Sequence, residues 1–524
     1  MAQGRLTRRD FVCGAAAAGA GLAAAPWLAG AAEGAAAPVR GGRLVAGVQA
    51  EIPHLDPHRS ALTISYVALS PMYQALTELG PNLELRPRLA TSWQVSGDGL
   101  SWTFNLRRGV KFHNGKALTS RDVQFSIERI LDPKTGARGR GDLSAITSIA
   151  TPNPNTVVFR LKSPFGFFPN KLATSYQAII PQEAVDTGNN VTKPIGTGPF
   201  QFVEWVTNDH LTMRRFDGYW DAGKPYLDEV ALKPIPDETV RLTALQTGDV
   251  QLIDSVPQAR LQGLFAQPSR DYVVRLVRGG GGQGVIVLNT RHKPFDNVKI
   301  RQAVAYGMNK REMVDASYRG WGVTDNQNFS PTSPWYLPVK DRPFDVAHAK
   351  SLLAEAGMPN GFKITISIAN GYGQPAVAQV FQAQMRRIGV DVSIEVYDVP
   401  SWANRINTGN FDIDLTGFFA KVDPDDAYYR YSHSNGGVWQ LSGYLNDSEL
   451  DRLLDEGRTE ADVAKAKTTY TRVVEILQDQ ASMLIFGSGH SASGWRSNVQ
   501  GYAPQLIGAL SYAGGGLQEA WLAK

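Results

Sequence analysis

Thiols are nearly absent from this chain: Cys13 is its one cysteine in 524 residues. No disulfide can form within it, and Cys13 sits at the front of an N-terminal apolar run, where cysteine catalysis has no place. Charge of one sign is lacking too. The 53 basic and 49 acidic residues leave a net charge of +4 with no block of like charge, so nucleic acid is not the expected partner. Arg138-Gly139-Arg140 is the nearest thing to a basic cluster, and its glycines read as a loop. Strong hydrophobic runs are also missing. The Ala/Gly-rich stretch from Gly14 to Ala25 is mild, is interrupted by Pro26, and falls short of the ~20 strongly apolar residues that a spanning helix needs.

Clustered chemistry is scarce as well. The eight histidines are dispersed; His54 and His58 lie close, but Pro53 and Pro57 prevent the helix that would align them on a metal. Gly489-His490-Ser491-Ala492-Ser493 resembles a nucleophile elbow until its last position, where Ser493 stands for glycine, and no helical pattern follows. Asp423-Pro424-Asp425-Asp426 lacks the rhythm of a calcium loop and reads as a turn with a helix-capping aspartate. The run Gly279-Gly280-Gly281-Gly282-Gln283-Gly284 lacks the Lys-Ser/Thr ending of a phosphate loop and reads as a flexible connection. No catalytic residue, structural metal or cofactor is expected.

What is present begins with an address. Thr7-Arg8-Arg9-Asp10-Phe11-Val12 fits the twin-arginine export pattern, and small residues from Ala29 to Ala37 offer cleavage choices. Residues 1–37 are expected to be a signal peptide, leaving a periplasmic protein that is not a lipoprotein. At this length, with 43% hydrophobic and 19% charged residues, two or three globular domains are expected.

Residues 86–123 carry the clearest local pattern. Leu100, Trp102, Phe104 and Leu106 alternate as a half-buried strand. Asn114-Gly115 suits a tight turn, and Thr119 with Asp122 resembles a helix cap. Val123, Ile127, Ile130 and Leu131 then form an apolar helical stripe that Pro133 stops. Further on, Ala303, Val304 and Met308 are placed on one helix. Ile364-Ile366-Ile368, a helix through Val377, Phe381 and Met385, and Val390-Val392-Ile394-Val396 read as a βαβ unit, which implies parallel neighbours with covering helices.

The same stretch, with Leu55-Asp56-Pro57, Pro194-Ile195-Gly196-Thr197-Gly198-Pro199-Phe200, Tyr219-Trp220, Gly248-Asp249, Asn289, Pro294-Phe295, Arg301-Gln302-Ala303 and Met308-Asn309-Lys310 in that order, resembles the bacterial extracellular solute-binding proteins of family 5. The resemblance covers most of the mature chain. It implies an α/β, two-lobed periplasmic-binding-protein (clamshell) fold with an extra domain, mixed β-sheets flanked by helices, and a two-strand hinge. It divides the chain into a first lobe (38–76, 197–282 and 494–524), a second domain (77–196) and a second lobe (283–493). Composition breaks at Gly279–Gly284 and Gly487-Ser488-Gly489 suit the hinge.

The implied function is capture of a small polar solute, peptide-like, opine-like or saccharide, and its delivery by a monomer to the permease and ATPase subunits of an ABC importer. An exported hydrolase, or a binding protein serving a chemoreceptor, are the alternatives, and a metal complex is a possible cargo. The implied ligand positions run from Glu51 to Leu55 and from Gly417 to Asp423. Members that hold a peptide's free amine carry an aspartate where this chain has Lys421, after Gly417-Phe418-Phe419-Ala420. A cation there repels an ammonium group, so Lys421 either meets a carboxylate, phosphate or hydroxyl of the cargo, or turns to solvent or to Asp423 or Asp425. Trp321, Tyr372, Trp402, Phe418, Trp439 and Tyr444 are candidate walls for the same cleft, and Phe419 is a further candidate within the second segment.

Overall fold

The computed structural model describes residues 37–59, 63–329, 331, 333–369, 375–418 and 420–523. The expected signal peptide therefore lies almost wholly outside the described residues, as do Tyr372 and Phe419. Val39–Lys524 forms one compact unit. Among the described residues no helix is long and apolar enough to cross a membrane.

Three sheets organise the chain. A seven-stranded sheet has the order Tyr272–Val277, Ser491–Arg496, Leu252–Ile253, Arg43–Val48, Glu229–Pro234, His210–Arg215, Phe200–Val206. Arg43–Val48 runs parallel to both of its neighbours and the other pairings are antiparallel, so the sheet is mixed. A six-stranded sheet has the order Gly322–Val323, Met483–Gly489, Gln283–Leu288, Ile413–Phe418, Lys363–Ala369, Asp391–Tyr397. Its βαβ unit is the expected one: Lys363–Ala369 and Asp391–Tyr397 pair in parallel across the helix Pro375–Arg387. The third sheet is four-stranded and antiparallel, Ala90–Val95, Ser101–Leu106, Thr156–Leu161, Ile146–Asn153.

Alternation made the strand Ser101–Leu106, where Trp102, Phe104 and Leu106 are buried. The helix Ser120–Leu131 follows as its cap and stripe require. Asp122 reaches back to accept from the Thr119 amide at 2.8 Å, and Val123, Ile127 and Ile130 are fully buried. One expected helix is corrected. Ala303 and Val304 lie on Val298–Tyr306, but Met308 falls outside it, because Gly307 ends that helix and Asn309 starts a second, Lys310–Tyr318, by accepting from the amides of Arg311 and Glu312.

The chain passes between the two large sheets at two adjacent places. Tyr272–Val277 continues through Gly279–Gly282 into Gln283–Leu288, and Met483–Gly489 continues through His490 into Ser491–Arg496. The crossings bond to each other, Gly281 N to Gly489 O at 3.1 Å and Gly489 N to Gly282 O at 2.8 Å. A Cβ on Gly281 would sit 2.8 Å from the Gly489 carbonyl carbon, so only glycine fits this approach. Ser491 opens an inner strand of the seven-stranded sheet, Ser491–Arg496, with no helix after it among the described residues, and the segment lacks the strand–turn–helix of a nucleophile elbow.

The four-stranded sheet does not keep its core to itself. Phe104, Phe159 and Phe168 belong to the same apolar cluster as Tyr428, Leu454, Tyr470 and Val473, which come from the helices Ser448–Thr459 and Val463–Gln480 and from the turn before them. At the seam Gly166 N donates to Arg458 O at 2.8 Å, and a Cβ on Gly166 would meet Glu460 O at 2.2 Å.

Candidate functional site

The strand Ile413–Phe418 ends at the seam between these regions. Beyond it, Ala420 and Val422 pack against Leu79, Leu83 and Leu506, while Asp423 Oδ1 accepts from the Asp426 amide at 2.9 Å and starts a π-helical turn, Asp425–Tyr429. Such five-residue turns are rare and collect at functional sites. This turn faces segments 141–145 and 162–177 across a polar cavity of about 600 Å³, within the size range of small-molecule sites.

Opposite charges line the cavity in paired form. Lys171 Nζ lies 3.3 Å from Asp423 and 3.2 Å from Asp425, and Arg458 reaches Asp425 at 3.0 Å while stacking on Tyr429. Burial works to lower the Lys171 pKa, but the two carboxylates outweigh it and hold the ammonium charged. Burial pushes Asp423 up to about 6 against the pull of Lys171. Burial also acts on Asp426, yet there Lys421, Lys171 and Arg430 prevail and the carboxyl lies below its ordinary value. Lys162 and Arg430 add cations to the lining, and Asp142 another carboxylate.

Lys421 occupies a separate niche. Its ammonium donates to Tyr431 Oη at 2.6 Å and rests 4.2 Å from the centre of that ring and 5.4 Å from that of Phe418. Among the described residues it forms no ion pair: Asp423 and Asp425 belong to Lys171. The niche is about 10 Å³, room for one water-sized group, and Gln283, Asn328, Ser488 and Leu506 also line it. Gln283 Nε2 donates to Gln327 O at 2.9 Å and Asn328 Nδ2 to Ala427 O at 2.6 Å. Those bonds fix both amides, leaving Gln283 Oε1 and Asn328 Oδ1 buried without a partner among the described residues.

The other sequence candidates scatter. Glu51 accepts from Trp205 Nε1 at 3.1 Å and from the Asn208 amide at 2.9 Å, so it ties down the hairpin beside it. The side chain of Leu55 is wholly buried in the core under the seven-stranded sheet and offers no surface to a solute. The loop after it is locked by Asp56, which takes Arg129 Nη2 at 2.6 Å, and by His58 against Ala178 O at 2.8 Å. Burial drops the His58 pKa to about 4, so the ring is neutral.

Trp321 packs on Phe265 beside the seven-stranded sheet, 5.3 Å between centroids. Trp402 spends its N–H on Asp414 at 2.7 Å, and Trp439 donates to Leu445 O at 2.7 Å. With Phe418, buried against Tyr431, these two tryptophans belong to the apolar layer on one face of the six-stranded sheet. Tyr444 lies in the same layer. Of the sequence candidates, Asp423 lines the polar cavity and Lys421 the niche. Lys171, Arg458, Gln283 and Asn328 are brought there only by the fold; each is a lone polar residue without a motif. Among the described residues no group of three or more His, Cys, Asp or Glu is placed to hold a metal ion.

Known proteins share both sequence and architecture with this chain. The Glutathione-binding protein GsiB of Salmonella choleraesuis is 31% identical over 358 residues, 68% of this chain and 69% of its own length. The periplasmic binding protein DppA from Helicobacter pylori, solved with the peptide STSA, superposes with a TM-score of 0.74 at 28% identity, covering 93% of this chain and 99% of that one. AgaA from A. tumefaciens R10, solved with agropinic acid, gives 0.74 at 29% identity over 92% and 99%. These relatives are named as binding proteins. The sequence model of bacterial extracellular solute-binding proteins, family 5, matches residues 84–439, and with two mixed sheets joined by paired crossings, the chain belongs to that family.

Proposed function

We propose that this protein captures a small zwitterionic solute of peptide-like or opine-like chemistry and passes it to the permease and ATPase subunits of an ABC importer. The observation that carries this reading is the mixed-charge lining of the cavity, with Lys162, Lys171, Arg430 and Arg458 set against Asp142, Asp423, Asp425 and Asp426. A solute bearing both an amine and carboxylates finds complementary partners in it. The names of the relatives, which bind glutathione, a peptide and agropinic acid, support the same class.

Lys421 is assigned to an acceptor group of the solute, a carboxylate or hydroxyl, in place of the free amine that peptide binders hold with aspartate. Its burial against two rings without an ion pair among the described residues supports this. The lobes are taken as 38–76 with 197–282 and 494–524 on one side and 283–493 on the other, with 77–196 as the added domain. The adjacent glycine-rich crossings support a hinge there. The cavity is walled by the added domain and the second lobe, so closure follows from contacts that the solute makes with those two. The Thr7-to-Val12 pattern supports twin-arginine export to the periplasm, with the mature protein a monomer.

Mass spectrometry of solute released from the purified protein, followed by a thermal-shift panel of glutathione, short peptides, opines and oligosaccharides, tests the class. A true ligand at 100 times its Kd adds about 2.7 kcal/mol to stability. A shift from neutral oligosaccharides alone would refute the zwitterionic assignment. Lysine at Arg8 and Arg9 should hold the protein in the cytoplasm; undiminished export would refute the twin-arginine route.

A further inference from the structure

A second cavity, of about 300 Å³, shares only Asn170 with the polar one. Its walls are aromatic: Trp93, Trp102, Phe167 and Trp335 line it, with Leu83 and Leu85. Among the described residues no basic side chain lines it, and its ionisable groups are Glu84 and Glu460. Glu84 is neutralised by Arg86. Glu460 is not: its Oε1 accepts only the Asp462 amide, at 2.7 Å, and it forms no ion pair among the described residues.

Two further features make this a built site rather than a gap in packing. Trp102 is 5% exposed and its Nε1–H is buried with no partner among the described residues, an orphaned donor in the packing behind the wall. Protein cations elsewhere in the fold cover the faces of Trp220, Tyr429 and Tyr431. Among the described residues none covers Trp93, Trp102, Phe167 or Trp335. No protein cation among the described residues therefore competes with a guest for these rings.

We propose that this cavity binds an organic ammonium cation with an apolar body, a quaternary or tertiary amine of roughly benzyltrimethylammonium size. Aromatic faces attract such a cation without asking it to hydrogen-bond, and the Glu460 carboxylate supplies the counter-charge. An anion of the same shape is repelled by Glu460, and a neutral one fills the space but leaves that charge uncompensated. The inference stands apart from the identity of the solute in the polar cavity.

The test titrates the mature protein with benzyltrimethylammonium, its neutral isostere neopentylbenzene, and benzoate, reading tryptophan fluorescence and melting temperature. The cation should give a saturable response in both, with the neutral isostere about tenfold weaker and benzoate without effect. Glu460→Gln, a half-buried side chain whose loss leaves the core intact, should weaken the cation about tenfold without altering the neutral isostere. Trp335→Leu reports the aromatic wall, with circular dichroism confirming its fold, and should weaken the cation too. No saturable response to the cation, equal affinity for the neutral isostere, or a Glu460→Gln protein that binds the cation as tightly as the parent would each overturn the proposal.

Discussion

Lys171 and Lys421 are both buried cations beside the same acidic turn, and they live in opposite circumstances. Lys171 is shared between Asp423 and Asp425 at 3.3 and 3.2 Å. Lys421 meets a phenol oxygen and two ring faces, forms no ion pair among the described residues, and its charge is felt at longer range by Asp426. The first is a closed account between protein groups, which fixes the seam between 162–177 and 422–437. The second is open, and an open buried charge is what a solute's acceptor group can complete.

Removing each lysine separates the two roles. Lys171→Met leaves Asp423, 1% exposed, as a buried carboxylate without its cation, and losing one partner of a buried pair costs about 3 kcal/mol. Urea unfolding at pH 7.5 should show that loss as a lower midpoint at unchanged slope. A stability equal to that of the parent would erase the contrast between the two lysines.

Asp414 sharpens the comparison from the acidic side. It is fully buried, bonded through one oxygen to Trp402 Nε1, and its Oδ2 has no partner among the described residues. Burial raises its pKa from 3.8 to about 7, opposed by the Trp402 bond. Because the folded value lies above the unfolded one, the folded protein binds the extra proton between pH 3.8 and 7. Stability from this group is greatest at low pH and is lost as pH rises through about 7. Asp423, raised to about 6, acts in the same direction. Unfolding free energy should therefore fall between pH 5 and pH 8, and Asp414→Asn should flatten that fall and raise stability at pH 8 by on the order of 2 kcal/mol. A variant with the parent's pH slope would mean that the carboxyl titrates as an exposed one.

Local pattern and long-range chemistry differ in how far a sequence exposes them. The strand at Ser101–Leu106, the capped helix after it and the βαβ unit at 363–397 follow from period and cap residues within a few positions. The glycine run reads from sequence as a flexible connection; the close backbone approach that leaves room only for glycine at 281 comes from Gly489, more than two hundred positions on, and shows only in the fold. The helix through Met308 was misread because apolar spacing outweighed the Gly307 stop and the Asn309 cap. At the site, Asp423 and Lys421 stood out by position in a recognisable segment. Lys171 did not: its partner Asp423 is 252 residues away, and no local periodicity encodes that distance. Leu55 and Trp402 show the converse. Residues beside the expected cleft by sequence turned their side chains into core and onto a buried aspartate.

Lys421→Met has the smallest expected effect on the fold and the most pointed one on function. Methionine fills nearly the same volume, and replacing a desolvated cation that has no ion pair among the described residues by an apolar chain is neutral or stabilising. The urea midpoint should stay level or rise, in contrast to Lys171→Met. Affinity for the copurified solute, measured by calorimetry after its release, should drop at least about tenfold, or 1.4 kcal/mol, because a charge-assisted bond is lost. Arginine at the same position keeps the charge but cannot fit a niche with room for one water-sized group, so it should bind no better than methionine. Equal affinity in the methionine variant would assign Lys421 to the aromatic layer beneath it, and the solute's acceptor group would then belong to Arg430 or Lys162 on the cavity wall.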